Sequence, residues 1–111
     1  MSDQHPMLAK LLHALEDIQA TDIKVIDVRK QTTITDYMLI ASGRASRHVK
    51  AIGQKVMEDM KLAGLPALHC TGLETGDWVL IDFGDFIVHV MQPESRQFYN
   101  LEGLWEEQPK S

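Results

Sequence analysis

A single cysteine, Cys70, stands in a chain of 111 residues, so no internal disulfide can form. That excludes a disulfide-stapled scaffold and fits a reducing compartment. With Tyr37 set aside, no apolar run exceeds four residues: Met38-Leu39-Ile40-Ala41 and Trp78-Val79-Leu80-Ile81 are the longest. A membrane-spanning helix needs about 20, so none is expected. The first 20 residues carry Lys10, Glu16 and Asp17 inside their apolar pattern, which leaves no signal-peptide core. They are not Arg-rich and acid-poor as a transit peptide would be, so the expected location is the cytoplasm. Basic residues are outnumbered, 11 Lys and Arg against 16 Asp and Glu, for a formal charge of −5. A protein that holds nucleic acid through its phosphates needs a basic face, so little or no direct nucleic-acid binding is expected.

The remaining composition, 44% apolar and 24% charged, is that of an ordinary globular domain. A chain of this length buries roughly two-thirds of its unfolded surface, enough for a core. One domain over residues 1–111 is expected, with its structured part at about 7–105.

Leu8, Leu11, Leu12, Leu15 and Ile18 recur at three- and four-residue spacing, which predicts an amphipathic helix over 7–20 with Pro6 at its start. The β-branched run Ile23–Val28 predicts a strand. Residues 36–42, apolar on both faces, predict a central one that ends at Gly43. Val49, Ile52, Val56 and Met60 set a helix over 46–63, stopped by Gly64 and Pro66. A short strand is expected at 67–71. Residues 78–83 and 86–91 then form two strands around Gly84-Asp85, a hairpin closed by a two-residue turn. Residues 94–105 are expected to form a short helix or turns, and residues 106–111 to fray. This order implies an α/β domain with a single mixed sheet of about five strands and two main helices packed on it.

A two-residue loop sets the register of the hairpin. Phe83 faces Phe86, Ile81 faces Val88 and Val79 faces Val90, all apolar and all on one face, which must be core. The opposite face pairs Asp82 with Ile87, Leu80 with His89 and Trp78 with Met91. Two coverings fit that mixture of large apolar groups with one carboxylate and one imidazole. A helix can lie over it, with His89 and Asp82 in structural hydrogen bonds, or Trp78, Leu80 and Met91 can meet another protein.

Other chemistry is weakly supported. The five histidines fall in separate elements without zinc-motif spacing, so no metal is expected. Cys70 and His69, adjacent on a strand, point to opposite faces and form no nucleophile pair; Cys70 reads as a small buried apolar residue. The segment Gly43–His48 joins a strand to a helix and offers backbone N–H groups and Arg side chains to a phosphate. It lacks the glycines and the lysine of a nucleotide-binding loop, and a tight turn with Ser46 as helix N-cap accounts for it. Thr35-Asp36-Tyr37 reads as a side-chain-capped loop. Asp82 and Asp85 flank the hairpin turn, where Asp85 is a favoured turn residue.

Five stretches together carry a resemblance. Thr35-Asp36-Tyr37, Ser42-Gly43…Ser46-Arg47-His48-Val49, Trp78–Asp85, Val88-His89-Val90-Met91 and Arg96-Gln97-Phe98-Tyr99…Leu101-Glu102…Leu104-Trp105 resemble, in order, the ribosomal silencing factor (Iojap-like) family. The resemblance spans about residues 7–105. Phe83 departs from it, because the family more often has Tyr there. It implies a nucleotidyltransferase-like fold without that class's paired carboxylates, since a basic helix start follows Gly43. It implies a non-enzymatic factor with no cofactor. Such a factor binds a basic ribosomal protein on the intersubunit face of the large ribosomal subunit and sterically blocks joining of the small one, repressing translation when nutrients are scarce. Under this resemblance the partner-binding residues are Trp78, Leu80, Asp82, Phe83, Asp85 and Met91, with 96–99 either at the rim or packing the end of the chain. A homodimer of the free protein is compatible with it. Two other classes compete: a nucleotidyl- or phosphoryl-transfer enzyme using the Gly43–His48 turn, and a homodimeric interaction module.

Overall fold

A computed structural model describes residues 6–100. It contains α1 (Leu8–Asp17), β1 (Thr21–Asp27), β2 (Tyr37–Ser42), α2 (Ser46–Leu62), β3 (His69–Thr71), β4 (Trp78–Asp82), β5 (Phe86–Met91) and α3 (Pro93–Tyr99). The order of elements is the one expected. The expected extension of the last helix over Leu101–Trp105, and the fraying of 106–111, lie outside the described residues.

The five strands form one sheet in the order β1-β2-β5-β4-β3. β2 and β5 are parallel, and the other neighbours are antiparallel. β3 therefore runs in the same direction as β2, and α2 is the crossover between them. β5 is the central strand and β2 lies beside it; all six residues of β2 and five of the six of β5 are buried. β1 starts two residues earlier than expected. It does so through an irregular pairing between Thr21 and Lys24, with Asp22 at a positive φ of 51°.

On one face, Leu8, Leu11 and Leu15 of α1 and Val49, Ile52, Val56 and Met60 of α2 pack against Leu39, Ala41, Val79, Ile81, Val88 and Val90. Alternate residues of the hairpin supply this core, odd-numbered on β4 and even-numbered on β5, as the pleat and the pairing require. Lys55 Nζ lies 3.1 Å from carboxylate oxygens of both Asp17 and Asp59, joining the two helices at the surface. On the other face a smaller cluster gathers Ile26, Val28, Met38, Ile40 and Met91, with Trp78 packed against it. α3 reaches this second face at one end only. There the buried Arg96 donates from Nη1 to Ser42 Oγ at 2.9 Å.

Candidate functional site

The hairpin pairs as its turn length dictates: Trp78 with Met91, Leu80 with His89 and Asp82 with Ile87 on one face, Val79 with Val90 and Ile81 with Val88 on the other. Phe83 N–H donates to Phe86 C=O at 2.8 Å, closing the two-residue loop. Gly84 has φ 92° and Asp85 does not have a positive φ, the pattern of a type II′ turn.

Trp78 is the centre of the second face. It is half-buried, and its indole N–H donates to His89 Nδ1 at 3.0 Å, with the two rings 5.8 Å apart. Tyr99 of α3 packs on the same indole at 4.7 Å. His89 is only 6% exposed, and burial pushes its pKa down to about 4 from the ordinary 6.5. It is therefore neutral at pH 7. An indole can only donate, so Nδ1 must carry the lone pair and Nε2 the proton. A bond on one side and a ring on the other hold the indole in one place.

The two coverings considered for this face share it. α3 lies over the end that holds Ser42, Met91 and Trp78, whereas Leu80, Asp82 and Ile87 towards the hairpin turn remain half-exposed. Of the six residues expected to meet a partner, two are withdrawn into the fold. Phe83, at 3% exposed, belongs to the core beneath α1 and α2, because its position in the pleat turns it away from Trp78. Met91 is fully buried in the smaller cluster, beneath Trp78 and beside α3. Neither offers surface to a partner. Trp78, Leu80, Asp82 and the exposed Asp85 remain.

The two aspartates hold the hairpin tip by different means. Asp82 Oδ1 accepts the Gly84 N–H at 2.8 Å, so its carboxylate shapes the turn. Asp85 contributes its backbone: its carbonyl accepts the N–H groups of Asp36 and Tyr37, both at 3.1 Å, which ties the hairpin tip to the start of β2. Two further residues reach this surface that alternation within the hairpin could not reveal. His69 stands opposite Asp82 across the β3–β4 pairing, and Tyr99 arrives from α3. Only the tertiary fold brings either to the hairpin, although 96–99 was already a candidate for its rim.

The Gly43–His48 turn is built around a histidine. Arg44 N–H donates to His48 Nδ1 at 3.0 Å, and His48 Nε2 lies 2.8 Å from the Ile18 carbonyl oxygen. Ser46 is the first residue of α2 instead of its N-cap; Ala45 takes that position without a side-chain cap bond. His48 thus satisfies a backbone donor at the helix start and ties that start to the end of α1. Cys70 is half-buried against the main core, where desolvation first and the charge of Glu74 second push its thiol pKa up. A cleft of about 710 Å³ opens between α3 and β1, lined by Asp22, Lys24, Ser42, Pro93, Arg96 and Asn100 among others. It does not include Trp78, Leu80 or Asp82. No helix among the described residues is long and apolar enough to cross a membrane.

By fold and surface, this is a mixed-sheet α/β protein with helices locked to one sheet face and an aromatic anchor held on the other. Comparison with known proteins gives that description a family. A family model described as "Ribosomal silencing factor during starvation" matches residues 2–111. Ribosomal silencing factor RsfS of Zymomonas mobilis is 47% identical over 100 residues, which cover 89% of this chain and 75% of that protein. Protein Iojap, chloroplastic, of Zea mays is 35% identical over 95 residues, covering 86% of this chain and 41% of the maize protein. A crystal structure of a protein from Chromobacterium violaceum matches with a TM-score of 0.87 at 41% identity, covering 93% of this chain and 86% of that one. The chain belongs to the ribosomal silencing factor family.

Proposed function

We propose that this chain represses translation by docking the half-exposed part of its sheet onto a basic ribosomal protein on the intersubunit face of the large ribosomal subunit. Bound there, it blocks the small subunit sterically, under nutrient limitation and in the cytoplasm, with no reaction and no cofactor. The whole chain, residues 1–111, acts as one domain. The observation that carries this reading is Trp78. A large amphipathic ring, held between His89 and Tyr99 and left half-exposed beside Leu80, has the character of an interface anchor whose conformational entropy is already spent. Asp82 and Asp85 at the hairpin tip suit a basic partner, and the net charge of −5 accelerates encounter with it.

The test is a sucrose-gradient sedimentation of purified ribosomal subunits, with the protein added before they are mixed. It is expected to travel with the large subunit and to shrink the joined-ribosome peak. Trp78→Ala is expected to weaken docking by about 2 kcal/mol or more, the range of an interface anchor, with the circular dichroism spectrum retained and melting lowered only by the loss of the His89 bond. A protein that stays at the top of the gradient with the joined peak unchanged overturns the reading. A Trp78→Ala variant that unfolds moves Trp78 from the docking face to the core.

A further inference from the structure

We infer that the docking surface continues from the sheet onto α3, where Phe98 and Tyr99 form an aromatic seat for arginine or lysine side chains of the same basic partner. The inference rests on the docking reading above and adds the chemistry of a second contact. Phe98 is 81% exposed and Tyr99 50%. Their rings meet edge to face at 5.1 Å, and Tyr99 in turn lies 4.7 Å from Trp78. Three aromatic rings therefore run without a gap from the half-buried anchor out to solvent. The other large exposed apolar side chains among the described residues, Val25, Ile34, Leu62 and Leu68, are all aliphatic. Isolated aliphatics of that kind need no explanation, whereas a contiguous aromatic row beside an interface anchor does.

Phe98 is not needed to hold its helix in place. Arg96 performs that task through Ser42, Pro93 begins the helix and Asn100 ends it in the left-handed region at φ 51°. Helix α3 is thus fastened by one set of residues and presents another.

Charge decides what the seat takes. Glu94 lies in the first turn of α3, the helix's own Arg96 is buried against Ser42, Asp77 precedes Trp78 on the exposed side, and the chain carries −5 overall. An aromatic face in acidic surroundings attracts a cation over its ring, and arginine is both the commonest such cation and an enriched interface residue.

The test is equilibrium binding of the full chain to purified large ribosomal subunits, with Phe98→Ala, Phe98→Leu, Phe98→Tyr and Trp78→Ala compared and melting followed for each. Phe98→Ala and Phe98→Leu are expected to weaken binding by about tenfold, Phe98→Tyr to retain it, and all three to melt as the parent does. Parental affinity in Phe98→Ala with weakened Trp78→Ala overturns the α3 seat and leaves the docking reading standing. Parental affinity in both overturns the docking reading itself. Full binding by Phe98→Leu overturns the cation seat, because an aliphatic chain has no ring face to offer. Early melting of Phe98→Ala overturns it too, by making Phe98 structural. So does a dimer of the free protein that Phe98→Ala dissociates, which would identify a second copy of this chain as the occupant.

Discussion

Among the described residues, His89 departs furthest from its ordinary chemistry, and the departure serves Trp78. A buried imidazole with its Nδ1 lone pair aimed at an indole N–H must stay neutral, because the protonated ring would have no acceptor to offer. Its pKa falls from 6.5 to about 4 in the folded chain, while the unfolded chain titrates near the ordinary value. Between pH 6.5 and 4 the unfolded state therefore binds more protons, and stability falls as the pH drops through that window. The loss attributable to His89 amounts to roughly 3 kcal/mol by pH 4 and levels off below it. Urea denaturation of the parent and of His89→Gln at pH 7, 5.5 and 4 checks this: the Gln variant is expected to show a shallower decline. Equal declines would remove His89 as the source. Asp82 matters through geometry: Asp82→Ala removes the acceptor of the Gly84 N–H and is expected to cost about 1 kcal/mol in the same denaturation at pH 7.

Among the elements, β4 depends most on what precedes it. Gly72, between β3 and β4, has φ 92°, and a Cβ built there would lie 1.9 Å from the Trp78 carbonyl oxygen. Neither the dihedral nor the space admits another residue. Gly72→Ala is expected to destabilise the fold by about 2–4 kcal/mol and to shift the strand that carries Trp78, which thermal unfolding and the indole emission spectrum would report. An unchanged melting temperature would mean that the turn relaxes independently of β4. The helices and the hairpin were readable from sequence because each signal lies within one contiguous stretch. The 3.6-residue spacing of Leu8, Leu11 and Leu15 and the two-residue alternation around Gly84-Asp85 are both of this kind. Ser46 was misplaced as an N-cap because the competing solution, His48 reaching back to Arg44 and across to Ile18, joins residues 30 apart.

For the molecule as a whole, surface charge and sheet asymmetry act together. Among the described residues, one sheet face is closed by α1 and α2 and the other only partly by α3, so an acidic chain of −5 presents that second face. Attraction between that face and a basic partner should be screened by salt. The association rate with large subunits is expected to fall as salt rises from 50 to 300 mM, on the order of tenfold, and Asp85→Lys is expected to flatten the dependence. A rate indifferent to salt in the parent would exclude electrostatic steering.

Which residues share a strand face, which pair across the hairpin and which line the helices' apolar stripes all follow from periodicity along the chain. The resemblance that led to the family rests on motifs of the same local kind. Depth is another matter. Phe83 was legible as core, since alternation puts it opposite Phe86 on the inner face. Met91 carries the same apolar signal as Trp78 and Leu80 and shares their face, yet it is buried and they are half-exposed. The difference comes from α3 folding back to bond Ser42 across 54 residues and to lay Tyr99 on Trp78. Alternation assigns a side chain to a face, but the element that arrives on that face sets how much of it solvent or a partner can reach.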